Sequence, residues 1–334
     1  MRIDLAEHKD LVRGTAEVEE TSEGVRCSRF TEHAKTLFPE DHGTVNATAG
    51  VRVSLATDTS ELTMRLQRVG GEDDAAGPYQ VDVLVDRADC HTFESEGDVD
   101  DFFFNVELEP RGGADDEDDH LVEIFLPSSA EVLIREFEIS DGALFRPLYP
   151  GDERILFIGD GAMQGEGASS PLRSYASLLA TELGCDFLNW SVAGVPLAGA
   201  LGEAALEVEW QSAVVAAGVS DYLLGRSAAD TAVDLNVMLN ALSSRSGARI
   251  NLVTPFRMPE QEGLPNAAGS TPDDFRNAFA RVAAGVPGCR LIDGRTLLPD
   301  RKRFFSSDRM TLSDAGMEAV AEKLHREIMG TYRL

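Results

Sequence analysis

The sequence predicts an α/β protein in two parts: an antiparallel β-sandwich of the jelly-roll type, followed by a doubly wound parallel sheet covered by helices. From about residue 10 to about 145, short stretches alternate apolar and polar residues, as half-buried antiparallel strands do. Beyond residue 153, apolar strands alternate with amphipathic helices, which is typical of parallel sheets. The segment RPLYPGDE at 146–153 separates the two patterns and is rich in Pro, Gly and charge. We therefore predict domains at 1–148 and 149–334.

Six stretches predict the strands of the sandwich. They share period-2 alternation or β-branched residues, and they lie at 50–57, 61–69, 79–86, 102–109, 120–127 and 132–139. Alternation of this kind turns one face of a strand to a core and the other to solvent. The run FFF at 102–104 is interpreted as part of a buried strand, with an exposed aromatic binding platform as the alternative.

The second domain is predicted from five apolar strands and the helices between them. The strands are ILFIGD (155–160), CDFLNWSV (185–192), SDYLLG (220–225), ARINLVTPF (248–256) and CRLIDG (289–294). The helices are predicted at 174–184, near 198–217, and at 231–247, 273–285 and 312–330. Doubly wound sheets bind ligands beyond the carboxyl ends of their strands, so the candidate site is expected at that edge.

The charge of the chain restricts its partners. Fifty-eight acidic residues against 30 basic ones give a net charge of −28, and only four of the basic residues are lysines. An acidic, lysine-poor surface suits a high-salt cytoplasm in which self-repulsion is screened, so a halophilic origin is expected. The same charge argues against nucleic acid or an anionic membrane as a partner, because phosphate binding uses clustered Lys and Arg.

No cofactor or metal site is predicted. The four cysteines lie far apart and form no CxxC pair, so the spacing of metal ligands is absent. The N-terminal stretch MRIDLAEHKDLVRG has no apolar signal core, and no segment approaches the roughly 20 apolar residues that span a bilayer. We expect a soluble cytoplasmic protein, and no pattern in the sequence specifies its oligomeric state.

Two segments carry a resemblance to a known family. The stretch at 155–194 looks like the first two blocks of the SGNH/GDSL hydrolases, which run strand, Gly-Asp-Ser, turn, helix, then Asn-Leu-Gly. SSDRMTLSDAG at 306–316 resembles the last block, Asp-x-x-His followed by a helix. With a jelly roll in front, the chain is similar to a two-domain branch that contains esterases and acyltransferases. This resemblance implies a flavodoxin-like SGNH domain and a catalytic site built from a serine, a histidine and an aspartate.

Two positions that are catalytic in that pattern lack the catalytic side chain. In Gly159-Asp160-Gly161 the serine position is Gly161, and three residues after the matching aspartate Asp308 the histidine position is Thr311. A threonine hydroxyl is not a base near neutral pH. Nearby serines at 169, 170 and 174 are out of register. His325 lies 14 residues further along the closing helix, and the other five histidines fall in the predicted first domain.

The oxyanion positions also differ from the family pattern. In the second block, Ser191 stands where the resemblance implies a glycine. In the third block, Gly-x-Asn-Asp, Gly225 as the glycine would put Ser227 and Ala228 at the Asn and Asp positions. A gapless alignment would instead put Ala228 at the glycine and Asp230 at the asparagine. In either case no asparagine donates to an oxyanion.

Three hypotheses follow for function. The first is a non-catalytic protein that binds a small molecule, glycan or protein partner in a cleft lined by Asp160, Ser191, Ser227, Asp308 and Thr311. Under this hypothesis Asp160 and Asp308 have the alternative role of capping turns and helix N-termini. The second is an esterase or acyltransferase of altered mechanism, in which Asp308 or Asp160 activates water, or a serine from 169–174 or a jelly-roll residue enters the site. The third makes the jelly roll the working part, on fold analogy alone.

Overall fold

The computed structural model describes residues 1–39, 42–69, 77–97, 100–109 and 119–331. The chain forms two compact units. The first contains Met1–Arg29, Asn46–Pro150 and Ser170–Leu172, and the second contains Phe30–Val45, Gly151–Ser169 and Arg173–Leu334. The second unit thus includes residues 30–45, which the sequence analysis had placed with the first domain. The boundary at 148/149 stays a prediction.

The first unit is built on two antiparallel sheets, and the predicted sandwich strands are confirmed. Its strands are β1 Val12–Arg13, β2 Glu17–Thr21, β3 Gly24–Ser28, β4 Arg52–Thr57, β5 Glu61–Arg68, β6 Gln80–Val85, β7 Asp89–Glu94, β8 Asp101–Glu107, β9 His120–Phe125, β10 Val132–Ile139 and β11 Phe145–Pro147. One sheet has the order β1-β4-β9-β6-β7, with β11 also paired to β4, and the other has the order β2-β3-β10-β5-β8. Apolar residues of both sheets form one core. Phe104 points into that core, whereas Phe103 is 54% exposed.

The second unit contains a parallel five-stranded sheet in the order β13-β12-β14-β15-β16. Its strands are β12 Arg154–Gly159, β13 Asp186–Asn189, β14 Ser212–Ala216, β15 Arg249–Val253 and β16 Cys289–Ile292. This is the flavodoxin-like order, in which the direction of winding reverses between β12 and β14, the first and third of these strands along the chain. Loops that leave the carboxyl ends of β12 and β14 therefore diverge, and a cleft opens between them.

Nine α-helices occur in the described parts of the chain. They are α1 Glu32–Lys35, α2 Gly161–Gln164, α3 Tyr175–Leu183, α4 Leu201–Ala204, α5 Val219–Leu223, α6 Ala228–Ser243, α7 Pro272–Gly285, α8 Gly294–Leu297 and α9 Asp314–Thr331. Three of the longer ones, α3, α6 and α7, begin at side-chain caps: Ser174, Ser227 and Thr271 each accept a backbone N–H of the first turn. Within the described residues, no helix is both long and apolar enough to cross a membrane.

Two predicted elements of the second domain were wrong. The stretch near 198–217 is not one helix: after α4 and a short 3₁₀ turn at Ala205–Glu207, the run SAVVA forms the central strand β14. The stretch at 220–225 is not a strand, because most of it belongs to α5. Short apolar runs do not distinguish a buried strand from a buried helix, and the alanines in β14 favoured the helical interpretation. The five-strand count survived, but the third strand lies eight residues earlier.

Candidate functional site

A cavity of about 320 Å³ lies beyond the carboxyl ends of the parallel strands in the second unit. Its wall is largely apolar and includes Met163, Leu223, Leu224, Phe256, Met258 and Met310. Its polar members include Asp160, Glu166, Ser220, Arg257, Asp308 and Thr311. An apolar cavity with a few converging polar groups is the usual form of a small-molecule site. The cavity occupies the edge of the sheet that the sequence predicted.

Gly161 lines this cavity, and a carboxylate fills the space where a side chain would lie. A Cβ placed on Gly161 would stand 3.1 Å from Cδ of Glu166 and closer still to its Oε2. Any serine at this position therefore requires the Glu166 side chain to move. Burial and the neighbouring charge of Asp308 raise the pKa of Glu166. Gly161 therefore has no hydroxyl to act as the nucleophile. The carboxylate of Glu166 lies in the space that a serine side chain would need.

Asp160 is buried beneath the cavity and joins two loops. Its Oδ2 accepts the backbone N–H of Val219 at 2.8 Å, and Ser220 also hydrogen-bonds to it. Burial, together with the charge of Asp221, raises the pKa of Asp160 to about 7. Asp160 therefore connects the end of β12 to the start of α5.

Asp308 and Thr311 form a compact turn at the edge of the cavity. The Thr311 hydroxyl donates to Asp308 Oδ2 at 2.6 Å, and the N–H groups of Met310 and Thr311 donate to its Oδ1, each at 2.9 Å. These bonds, that from the Thr311 hydroxyl foremost, hold the pKa of Asp308 below its usual value. Asp308 thus holds a threonine at the position where the family pattern has it orient a histidine.

The third block lies at a different place from either predicted alignment. After β14 the chain continues Gly218-Val219-Ser220-Asp221, which fits Gly-x-Asn-Asp with serine in place of asparagine. Gly218 has φ of +102°, and Ser220 lines the cavity. Asp221 is fully buried and accepts hydrogen bonds from Leu197 N–H and the Thr231 hydroxyl. Because the third strand was predicted too far along the chain, the third block was predicted too far along the chain as well.

Gly225 and Ser227 therefore take structural roles instead. Gly225 has φ of +76° at the end of α5, and a Cβ there would press on Ala267 at 2.9 Å. Ser227 is the N-cap of α6 and accepts the N–H of Asp230 at 3.0 Å. Neither residue is among those that line the cavity.

In the second block, Gly194 rather than Ser191 meets the cavity. Ser191 is fully buried behind β13, whereas Gly194 lines the cavity with φ of +71°. His42, from the segment 30–45 of the same unit, lies behind Gly194, with Nε2 3.4 Å from a Cβ placed there. One of the histidines that the sequence analysis had placed in the other domain thus lies beside the site, although it does not line the cavity.

The remaining serines and His325 do not line the cavity. Ser169 bonds to Asp314 through its N–H and hydroxyl, at 2.8 and 2.6 Å, and Ser174 caps α3. His325 pairs with Glu182 at 3.1 Å. Among the residues that line the cavity there is accordingly no histidine, and the one serine is Ser220.

The strand order, the Gly-Asp turn after β12, the third block after β14 and the Asp308 turn together define a domain of the SGNH/GDSL class. Residues 157–319, just under half of the chain, match the family described as GDSL-like lipase/acylhydrolase. No curated protein matches the chain significantly in sequence.

Several solved structures share the fold over nearly the whole chain. The salicylyl-acyltransferase SsfX3 from a tetracycline biosynthetic pathway is 24% identical with a TM-score of 0.84, covering 97% of this chain and 95% of its own. A family two carbohydrate esterase from Clostridium thermocellum, in complex with cellohexaose, is 15% identical with a TM-score of 0.68, covering 96% and 99%. An acetyl xylan esterase from Butyrivibrio proteoclasticus is 13% identical with a TM-score of 0.63, covering 99% and 98%. At these identities the likeness establishes the fold alone.

Proposed function

We propose that this protein is a catalytically degenerate relative of the GDSL hydrolases that binds a small molecule in the cavity and has lost serine-based ester hydrolysis. The observation that carries the proposal is Glu166, whose carboxylate stands where the side chain of the nucleophile would lie beside Gly161. Thr311 also supplies no base. Loss of the nucleophile or base of a triad lowers the rate by several orders of magnitude.

The lining of the cavity favours an apolar ligand over a glycan or a protein partner. Apolar residues, namely alanine, leucine, methionine, phenylalanine, valine and proline, make up more than half of the residues that line the wall. Sugars bind through many hydrogen bonds to polar groups, and protein segments need wider grooves than a cavity of about 320 Å³. The esterase bound to cellohexaose has the same fold, but its ligand does not carry over to a cavity lined in this way.

The binding role can be tested at the mouth of the cavity. We expect neutral aryl-alkyl amides, such as 4-phenylbutanamide, to raise the melting temperature of the protein, while a panel of p-nitrophenyl esters shows no turnover. Leu223→Trp, at a half-exposed lining residue, should weaken binding by narrowing the mouth. Val233→Trp is the matched control, because Val233 is 64% exposed on α6 and does not line the cavity. Equal binding by both variants would place the ligand elsewhere.

The loss of serine chemistry has a separate test, in which the missing groups are restored. Gly161→Ser with Thr311→His should show only weak turnover of p-nitrophenyl esters, because the exposed end of the Glu166 side chain has to leave the space of the serine side chain. Adding Glu166→Ala should increase the turnover. If the double variant were already as active as the triple variant, Glu166 would not be the obstacle.

A second candidate function is ester hydrolysis through a carboxylate-activated water, or acyl transfer in which the same carboxylate activates an acceptor alcohol instead of water. Glu166 favours it, because its raised pKa makes it a better base than Asp308, whose pKa is lowered. Glu166 would take a proton from water as the water attacks the acyl carbonyl, and would return it to the leaving alkoxide. Wild-type ester turnover that Glu166→Gln abolishes would establish this function in place of the first.

We further propose that the protein functions at high salt. With a net charge of −28, self-repulsion should loosen the fold in dilute buffer, and added salt screens it. The melting temperature should rise between about 0.1 M and about 2 M KCl. A melting temperature that is flat or falling over this range would contradict a halophilic origin.

A further inference from the structure

Arg257 lines the cavity and has no acidic partner among the residues that the structure describes. Its Nε is buried and has no hydrogen-bond partner within the described parts of the chain. An unpaired guanidinium is unexpected in a chain with 58 acidic residues and 30 basic ones. Burying a polar N–H group without a partner costs free energy, so this arrangement favours a ligand that would satisfy it.

The acidic residues of the loop that contains Arg257 are bound to other arginines. Arg276, on α7, pairs with Glu262 at 2.6 Å. Arg309 lies within 3.5 Å of Glu260. Both glutamates belong to the same loop as Arg257, yet their carboxylates are held by neighbouring chain segments. The fold thus leaves Arg257 as a cavity cation without a counterion in the part of the chain that is described.

We propose that Arg257 binds a carboxylate of the ligand, so that the natural ligand is an apolar carboxylic acid. The inference rests on the proposed ligand-binding function and adds its chemical class. A guanidinium presents a fork of N–H donors that matches the two oxygens of a carboxylate, and such charge-assisted pairs are stronger than neutral hydrogen bonds. The apolar wall would hold the aryl or alkyl body of the acid.

Isothermal titration calorimetry with a matched acid and amide tests the proposal. The probes are 4-phenylbutanoate and 4-phenylbutanamide, which share one body and differ in charge, titrated into the full-length protein in about 2 M KCl. Wild type should bind the acid about 10- to 100-fold more tightly than the amide. Arg257→Gln should bring the affinity for the acid down to that for the amide, and leave the affinity for the amide unchanged. Arg281→Gln, an exposed arginine on α7 outside the cavity, should behave as wild type.

Two results would overturn the inference, and they differ in what else they overturn. Equal affinities of wild type for acid and amide, or unchanged acid binding by Arg257→Gln, would exclude the carboxylate class while leaving the ligand-binding function intact. Failure of both probes to bind wild type would count against the inference and the ligand-binding function together. Thermal melts without ligand show whether each variant is folded, and Arg257→Gln should melt as wild type because it breaks no hydrogen bond to a described residue.

Discussion

Asp160 and Asp308 both match family positions at one cavity, yet their surroundings are opposite. Asp160 is 9% exposed and its pKa is raised to about 7 by burial and by Asp221. Asp308 is exposed, and hydrogen bonds led by that of Thr311 lower its pKa. One carboxyl resists ionisation, and the other is stabilised as an anion.

Both aspartates have structural roles that do not depend on catalysis. Asp160 joins the loop after β12 to the loop after β14 through the N–H of Val219. Asp308 closes a local turn through the N–H groups of Met310 and Thr311. Each role persists with glycine at the nucleophile position and threonine at the base position. The presence of the two aspartates is therefore no evidence for activity.

The largest expected effect concerns the stability that each aspartate provides. Asp160→Ala would leave the N–H of Val219 and the hydrogen-bonding groups of Ser220 without their buried acceptor. Unsatisfied buried groups cost about 1–3 kcal/mol each, so we expect a loss of about 4 kcal/mol in the free energy of unfolding, measured by urea denaturation.

Asp308→Ala is the matched comparison for that experiment. Its partners are at the surface and can bond to water, so the loss should be about 1 kcal/mol. Equal losses of unfolding free energy in the two variants would mean that Asp160 does not stabilise the contact between the loop after β12 and the loop after β14.

A smaller effect is expected in the pH dependence of stability. The folded-state pKa of Asp160 lies near 7, above its unfolded value, so between the two values the folded protein binds more protons than the unfolded chain. This contribution to stability is present at low pH and is lost as pH rises toward 7. One pKa unit corresponds to about 1.4 kcal/mol, so Asp160 should remove roughly 2 kcal/mol between pH 5 and pH 7.

Asp160→Asn should abolish this contribution, because it cannot ionise. The difference between wild type and Asp160→Asn in urea denaturation at pH 5, 6 and 7 isolates it from all other groups. Asp308→Asn should keep the wild-type slope: its pKa is lowered, so its contribution is lost only as pH falls below the usual range of a carboxyl. Parallel pH curves for wild type and Asp160→Asn would refute the raised pKa.

The sequence predicted the architecture well and misplaced its central strand. Period-2 alternation located the main sandwich strands, and the helix predicted at 174–184 agrees closely with α3. The run at 212–216 is buried on both sides, so it carries no periodicity and its alanines resemble a helix. Nothing in the sequence placed residues 30–45 in the second unit, because that assignment depends on tertiary packing.

The sequence analysis named cavity-lining residues where a motif fixed the register, and missed others where loops fold back. Gly161 and Thr311 follow strongly patterned blocks, and both line the cavity. Glu166 was missed because its carboxylate reaches Gly161 only through the turn after α2. Arg257 was missed because its lack of an acidic partner among the described residues is visible only when its neighbours in space are known.

The smallest expected effect distinguishes the physical cause of the lowered pKa of Asp308 from that of the raised pKa of Asp160. Thr311→Val removes the hydroxyl that donates to Asp308 at 2.6 Å and leaves the two N–H donors in place. The pKa of Asp308 should therefore rise toward its usual value, with a stability loss of about 1 kcal/mol or less. The chemical shift of the carboxyl carbon of Asp308, followed by NMR against pH, measures the change.

Thr311→Ser is the control, because it keeps the hydroxyl, and Asp308 should titrate in it as in wild type. The pKa of Asp160 should stay raised in both variants because burial is its main cause. A pKa of Asp308 that is unmoved by Thr311→Val would show that the backbone N–H groups alone stabilise the anion.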